Sequence, residues 1–260
     1  MLKKVSGIEF YECGSGQPIL FLHGVGSTYE SFHYQFGKIS GRLIAVNLPG
    51  YGKSNNLELY SFDTIYQALK KFIDSLGLKT FSIVGHSMGG MLAIDYVCRE
   101  INNVKKICLI GTTPYFGGRS KEFEEEFLRV RLDPIKSGMT MKQLGKISSK
   151  KLTGPKAPNE VIRKIEKQLG SLKPATWEAS LRCLIGFNRK EELKSLSKPC
   201  LVIAGEHDKN APVDTMRKMH NSIPFSTFHE IKDIGHMIHM EAPEVFNQIL
   251  KDFFEGPKNG

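Results

Sequence analysis

Short apolar runs recur along the chain and predict β-strands over residues 7–12, 19–22, 43–46, 81–84, 106–110, 201–204 and 227–231. Several are continuous rather than alternating, as expected for strands covered on both faces of a mostly parallel sheet. Between them the apolar positions shift to helical spacing over residues 63–76, 90–99, 213–220 and 243–254. Alternating strands and helices argue for a doubly wound α/β sheet. The first two runs lie too close together for a crossover helix, so they are expected to form an antiparallel hairpin.

The rhythm breaks after Gly111-Thr112-Thr113-Pro114. For roughly 75 residues no strand pattern is visible, while four helical stretches are. Phe123, Phe127 and Val130 repeat at helical spacing, as do Ile162, Ile165 and Leu169; Trp177, Leu181 and Leu184 follow Pro174, and Met141, Leu144 and Ile147 form a weaker set. Strand chemistry resumes at Pro199-Cys200-Leu201-Val202-Ile203-Ala204. The simplest organisation is a core of residues 1–116 and 195–260 with a four-helix cap, residues 117–194, inserted between two strands.

At 260 residues the chain can bury a substantial core, and 40% hydrophobic with 24% charged residues is ordinary for a globular domain. The basic residues near the start lack a following apolar core, and no run approaches the roughly 20 apolar residues that span a bilayer, so the cytoplasm is the expected location. The five cysteines are scattered and unpaired in spacing, against a disulfide framework or zinc site, and Cys98, Cys108 and Cys200 are expected to be buried. Of the net charge of +9, residues 119–194 carry most, with 18 Lys and Arg against 10 Asp and Glu. No nucleic-acid motif accompanies this excess, and acids such as Glu160 and Glu166 interrupt it, so it reads as solvated helix faces.

One stretch carries chemistry directly. Gly85-His86-Ser87-Met88-Gly89 lies between a strand pattern and a helix pattern, the context that makes G-x-S-x-G a nucleophile elbow. The turn strains the serine backbone and presents Oγ above the sheet, and the helix N-terminus beneath favours negative charge there. A serine hydroxyl needs an adjacent base, itself held by a third group. Asp208, in Gly205-Glu206-His207-Asp208, and His236, in Asp233-Ile234-Gly235-His236-Met237, each follow a strand at the carboxyl edge of the sheet. Glu206, Asp214 and Asp233 are rivals for the acid, and His229 and His239 for the base; His239 is expected at a helix start or on the surface. The backbone N–H groups of Val25, in the turn His23-Gly24-Val25-Gly26, and of Met88 are candidate oxyanion donors. The eight histidines show no metal-ligand spacing, and no metal or cofactor is implied.

These residues, with Leu48-Pro49-Gly50-Tyr51-Gly52-Lys53-Ser54 and Glu241-Ala242-Pro243-Glu244, resemble the α/β-hydrolase fold family nearly end to end. The similarity is to its cofactor-free members: esterases, haloperoxidase-like perhydrolases, enol-lactonases and meta-cleavage-product hydrolases. It implies the chain order serine, acid, histidine and a small-molecule acyl substrate. The expected activity is hydrolysis of a small or medium carboxylic ester or lactone. A carbon–carbon bond hydrolase with the same triad and a ligand sensor that signals to a partner protein are the alternatives. Three departures bear on this: Asn47 stands where the family usually has aspartate, Met237 where carbon–carbon hydrolases have tryptophan, and Ser87 where dehalogenases and epoxide hydrolases have aspartate. A cap roofing the serine would let Trp177, Phe123, Phe127 and Leu181 line an acyl pocket.

Overall fold

The computed structural model describes residues 2–118 and 120–256. Its centre is an eight-stranded sheet whose strands run in chain order β1 (Leu2–Val5), β2 (Ile8–Cys13), β3 (Pro18–Leu22), β4 (Arg42–Val46), β5 (Phe81–His86), β6 (Val104–Ile110), β7 (Cys200–Gly205) and β8 (Ser226–Ile231). Across the sheet the order is β1-β2-β4-β3-β5-β6-β7-β8. From β4 to β8 every pairing is parallel, while β1–β2 and β2–β4 are antiparallel.

The expected hairpin between the first two runs does not form. The strand over residues 8–13 pairs instead with β1 and β4, so β4 separates it from β3. Its own hairpin partner, Leu2-Lys3-Lys4-Val5, is an exposed edge with no apolar pattern to announce it. The turn between them is Ser6-Gly7, both at positive φ (46° and 82°), which matches the twist of a two-residue hairpin.

Helices α1 (Phe62–Ser75), α2 (Met88–Glu100), α7 (Val213–Asn221), α8 (Ile238–Glu241) and α9 (Pro243–Glu255) flank the sheet. Alternate residues of one strand serve opposite faces: Leu20 and Leu22 join the cluster of α1 and α2, whereas Ile19 and Phe21 join that of Phe246 and Leu250 on α9. Both β5 and β7 are buried along their whole length, which accounts for their continuous apolar sequences. All five cysteines are free; Cys108, Cys183 and Cys200 are buried and Cys98 only half-buried.

Among the described residues between β6 and β7 stand four α-helices, α3 (Lys121–Lys136), α4 (Met141–Leu152), α5 (Asn159–Gly170) and α6 (Pro174–Leu184). The stripe on α3 is turned from the expected one. Phe127 and Leu132 are buried, while Phe123 and Val130 are exposed, as is Ile147 on α4. Helix α6 is seated by polar contacts as well as packing: Tyr51 Oη and Ser180 Oγ lie 2.8 Å apart, and Thr176 Oγ1 donates to the Gly50 carbonyl at 3.1 Å. No helix among the described residues is long and apolar enough to cross a membrane.

Candidate active site

Ser87 joins β5 to α2 with φ 54° and ψ −120°, a conformation that costs a non-glycine residue on the order of 1–3 kcal/mol. Surrounding bonds hold it there. Ser87 N donates to Ile110 O (2.9 Å), and its carbonyl accepts from Thr112 Oγ1 (2.7 Å) and from the amides of Gly90 and Met91. The flanking glycines are required by contact: a Cβ at Gly85 would collide with the Gly89 carbonyl, and one at Gly89 with Leu22 O. Met88 opens α2, where helix N–H groups have no intrahelical acceptor.

The loop after β3 closes over the serine. A Cβ at Gly24 would stand 2.8 Å from Ser87 Cβ, so only glycine lets the backbone come this near. His23 shapes the loop from beneath. Its Nδ1 donates to Gly24 O at 2.8 Å, and its Nε2 accepts from Leu48 N at 3.0 Å, which defines a neutral tautomer. Complete burial pushes its pKa down to about 4. Val25, half-buried, follows in the same turn, and Ser27 N closes it onto Gly24 O.

Asp208 and His236 come together from the loops after β7 and β8, with Nδ1 of His236 2.7 Å from Asp208 Oδ2. The Asp208 side chain is fully buried, and its other oxygen accepts from the amides of Asn210 (2.8 Å) and Ala211 (3.0 Å). Both carboxylate oxygens are thus engaged, and the proton on His236 is held at Nδ1, leaving Nε2 able to accept one. A Cβ at Gly111, which has φ 48°, would stand 3.0 Å from Asp208 Oδ2 and 3.3 Å from His236 Nδ1. The backbone of His236 is fixed at both ends: its N–H donates to Leu152 O (2.8 Å), and its carbonyl accepts from His86 Nε2 (2.9 Å).

The rivals lie elsewhere. Glu206 and Asp233 are at the surface, bonded to Lys232 and Lys156 respectively. With His207 they form a group of ligand-type atoms within 4.8 Å of one another, its carboxylates already engaged by those lysines. Asp214 is exposed in the first turn of α7, and His229 is exposed on edge strand β8. His239 is on α8 but not at the surface. It is fully buried, its ring 4.7 Å from those of both Phe32 and His86. Burial, and then the neighbouring His236, push its pKa down to about 3, and burial drives that of His86 well below the usual histidine range.

Of the expected pocket residues, Trp177, Phe127 and Leu181 are buried. Trp177 Nε1 donates to Arg131 O on α3 (3.1 Å), and its ring edge lies near Gly26, where a Cβ would be 3.7 Å from Cζ3. Phe127 packs edge-on against Phe116 under the Arg131 guanidinium. Phe123, 38% exposed at the start of α3, lies at the outer side of this group with its ring 6.2 Å from that of Phe116, because α3 turns Phe127 and Leu132 inward instead.

The amide at position 47 has a local cause. Asn47 Nδ2 donates to Glu9 Oε2 at 2.7 Å, and both residues are buried. The same oxygen of Glu9 accepts from Lys53 N, and Asn47 Oδ1 accepts from Tyr29 N. A carboxylate at 47 would face another in a buried site, so the donor NH₂ suits this neighbour. Sequence reasoning missed Glu241 and Gln168. Glu241 accepts from the amides of Gly154, Gly235 and Met237, and Gln168 from Ser27 and Thr28. The first lay inside a recognised motif without a role; a lone amide in a helical stripe such as Gln168 gives no signal at all.

A family model described as the alpha/beta hydrolase fold matches residues 17–243. The chain belongs to this family and is a hydrolase. It is 28% identical to the AB hydrolase superfamily protein YisY of Bacillus subtilis, over 93% of each chain. It is 26% identical to a 2-hydroxy-6-oxononadienedioate/2-hydroxy-6-oxononatrienedioate hydrolase of a Pseudomonas species, over 95% of this chain and 91% of that protein. Among solved structures, a thermophilic esterase from Thermogutta terrifontis superposes with a TM-score of 0.88 at 25% identity, covering 98% of both chains.

Proposed function

We propose that this chain is a serine hydrolase that cleaves a small or medium carboxylic ester or lactone through an acyl-enzyme on Ser87. In this reading residues 1–116 and 195–260 form the catalytic core and residues 117–194 the cap. The observation that carries it is a serine at φ 54° on a strand–helix elbow and a buried Asp208–His236 pair joined at 2.7 Å, with the ring of His86, the residue before the serine, 4.7 Å from that of His236. Nε2 of His236 takes the proton as Ser87 Oγ attacks the carbonyl carbon. Asp208 keeps Nδ1 protonated and stabilises the imidazolium that forms. The Val25 and Met88 N–H groups receive the oxyanion, supported by the N-terminus of α2. His236 then protonates the leaving alcohol, and deprotonates the water that releases the acid. Likeness to an esterase supports this reading.

The test is Ser87→Ala, assayed on activated esters of graded acyl length and with a fluorophosphonate probe. Turnover is expected to fall by on the order of 10⁶-fold, with labelling lost and the melting temperature kept. A labelled peptide elsewhere in the chain, or wild-type turnover in the variant, overturns the assignment. Hydrolysis of a carbon–carbon bond with the same residues is a second reading, supported by likeness to the 2-hydroxy-6-oxononadienedioate hydrolase. That dienedioate assayed beside the ester panel separates the two by relative kcat/KM.

A further inference from the structure

Both sides of His236 are tied to a single buried side chain. Glu241 Oε1 accepts from Met237 N at 3.1 Å, and Oε2 accepts from Gly235 N at 3.2 Å and from Gly154 N at 2.7 Å. Gly154 belongs to the connection between α4 and α5, so this carboxylate binds a cap segment and the histidine loop together. Leu152, two residues earlier, accepts from His236 N itself. The two backbones touch closely enough that glycine is needed on both sides. A Cβ at Gly235 would stand 2.5 Å from Gly154 N and 2.8 Å from Leu152 O, and one at Gly154 would collide with Asp233 O.

The same helical hairpin grips the opposite side of the site. Gln168, buried on α5, accepts from Ser27 Oγ at 2.9 Å and from Thr28 N at 3.3 Å. The next residue, Leu169, lies directly against Gly26. One end of the α4–α5 hairpin therefore meets the histidine loop and the other meets the loop that follows Gly24. The two helices pack closely along their length: Gly145 lies against the Glu166 carbonyl and Gly170 against Lys142.

We infer that Glu241 is a positioning residue for His236, and that the α4–α5 hairpin is a strap that sets the base and the oxyanion loop relative to each other. The cap then does more than roof the substrate: it holds the catalytic geometry from above. This inference rests on the proposed roles of Ser87, Val25 and His236. A carboxylate suits the joint because it offers acceptor positions to three N–H groups at once, where an amide offers one oxygen. A displacement of about 1 Å in a reacting group can cost on the order of 10²-fold in rate, so a loosened joint acts on turnover more than on binding.

The experiment is Glu241→Gln and Gln168→Leu, singly and combined, assayed on one activated ester well below their melting temperatures. Each single variant is expected to lower kcat by about 10- to 100-fold with KM within about threefold. Fluorophosphonate labelling of Ser87 is expected to slow by a similar factor. In the double variant the losses are expected to combine to less than their product, because both cut the same strap. Glu241→Asp, which keeps the charge with a shorter reach, is expected to restore part of the kcat lost in Glu241→Gln. It also serves alone against wild type if Glu241→Gln does not fold. A kcat within twofold of wild type in the Glu241 variants, with only the melting temperature lowered, overturns the positioning role. Strictly multiplicative losses overturn the strap. Ser87→Ala, run alongside, separates the two levels. Turnover in Ser87→Ala sinks the serine assignment, whereas a silent Ser87→Ala beside an unimpaired Glu241→Gln sinks only the inference drawn here.

Discussion

At position 47 one group, NH₂ or O⁻, decides whether two buried carboxylates face each other. Asn47 gives a donor to Glu9, and Glu9 in turn holds Lys53 N in the loop that carries Tyr51 and Ser54. Asn47→Asp is expected to destabilise by about 1–3 kcal/mol at pH 7, through an unpaired buried charge. The like charge raises the pKa of one folded-state carboxyl above its unfolded value, so the penalty is present at neutral pH and fades as pH falls through that raised value. Thermal melts of variant and wild type from pH 7 to pH 4 check this, and a gap independent of pH would rule it out. Residues of this kind are illegible in sequence, because Glu9 and Asn47 meet only through the β2–β4 pairing. Ser87 was legible for the opposite reason: its chemistry depends on a strand, a turn and a helix that are consecutive in the chain.

Among the elements, the cap helices show where periodicity stops informing. Helical spacing identifies the existence of α3 but not its rotation; Phe127 and Leu132 face inward, and Phe123 and Val130 do not. Trp177 is the informative residue on α6. Its ring reaches from Arg131 O to the neighbourhood of Gly26, linking α3, α6 and the loop beside Ser87. Trp177→Ala is expected to shift the preferred acyl length of ester substrates. It also removes a large buried ring, which costs about 3–5 kcal/mol. Activity against a graded ester series decides the matter. An unchanged length preference with a lowered melting temperature would make Trp177 a packing residue only.

Across the whole molecule, three buried histidines make stability depend on acid. The pKa of His23 lies at about 4 and that of His239 at about 3, both depressed by burial, and His86 is depressed in the same way. In the unfolded chain these rings titrate near 6.5. Their contribution to stability is therefore complete above pH 6.5 and is lost as pH falls through about 4 and 3, because only the unfolded state takes up protons in that window. For His23 and His239 the loss is on the order of a few kcal/mol each. Glu241 works the other way, since burial raises its pKa and protonation relieves part of that cost. Denaturant unfolding at steps from pH 7.5 to pH 4 is expected to show falling stability already above pH 5. His239→Leu, which replaces a ring lacking hydrogen-bond partners at either nitrogen among the described residues, is expected to flatten that slope. An equal slope in the variant would rule out His239 as a contributor.

The sequence alone was enough for the alternation of buried strands and amphipathic helices and for a G-x-S-x-G turn set between a strand and a helix. These are local facts: each depends on residues within one turn or one strand, and a strand buried on both faces is apolar wherever it occurs. Tertiary structure alone decided the sheet order, which placed β4 between two strands adjacent in the chain, and the partnership of Asn47 with Glu9. It also buried His239 against His86 and brought Glu241 and Gln168 to the two ends of one cap hairpin. A buried carboxylate or amide takes its role from the N–H groups that surround it. Gly154 and Glu241, 87 positions apart, become neighbours only where the α4–α5 connection meets the segment after β8.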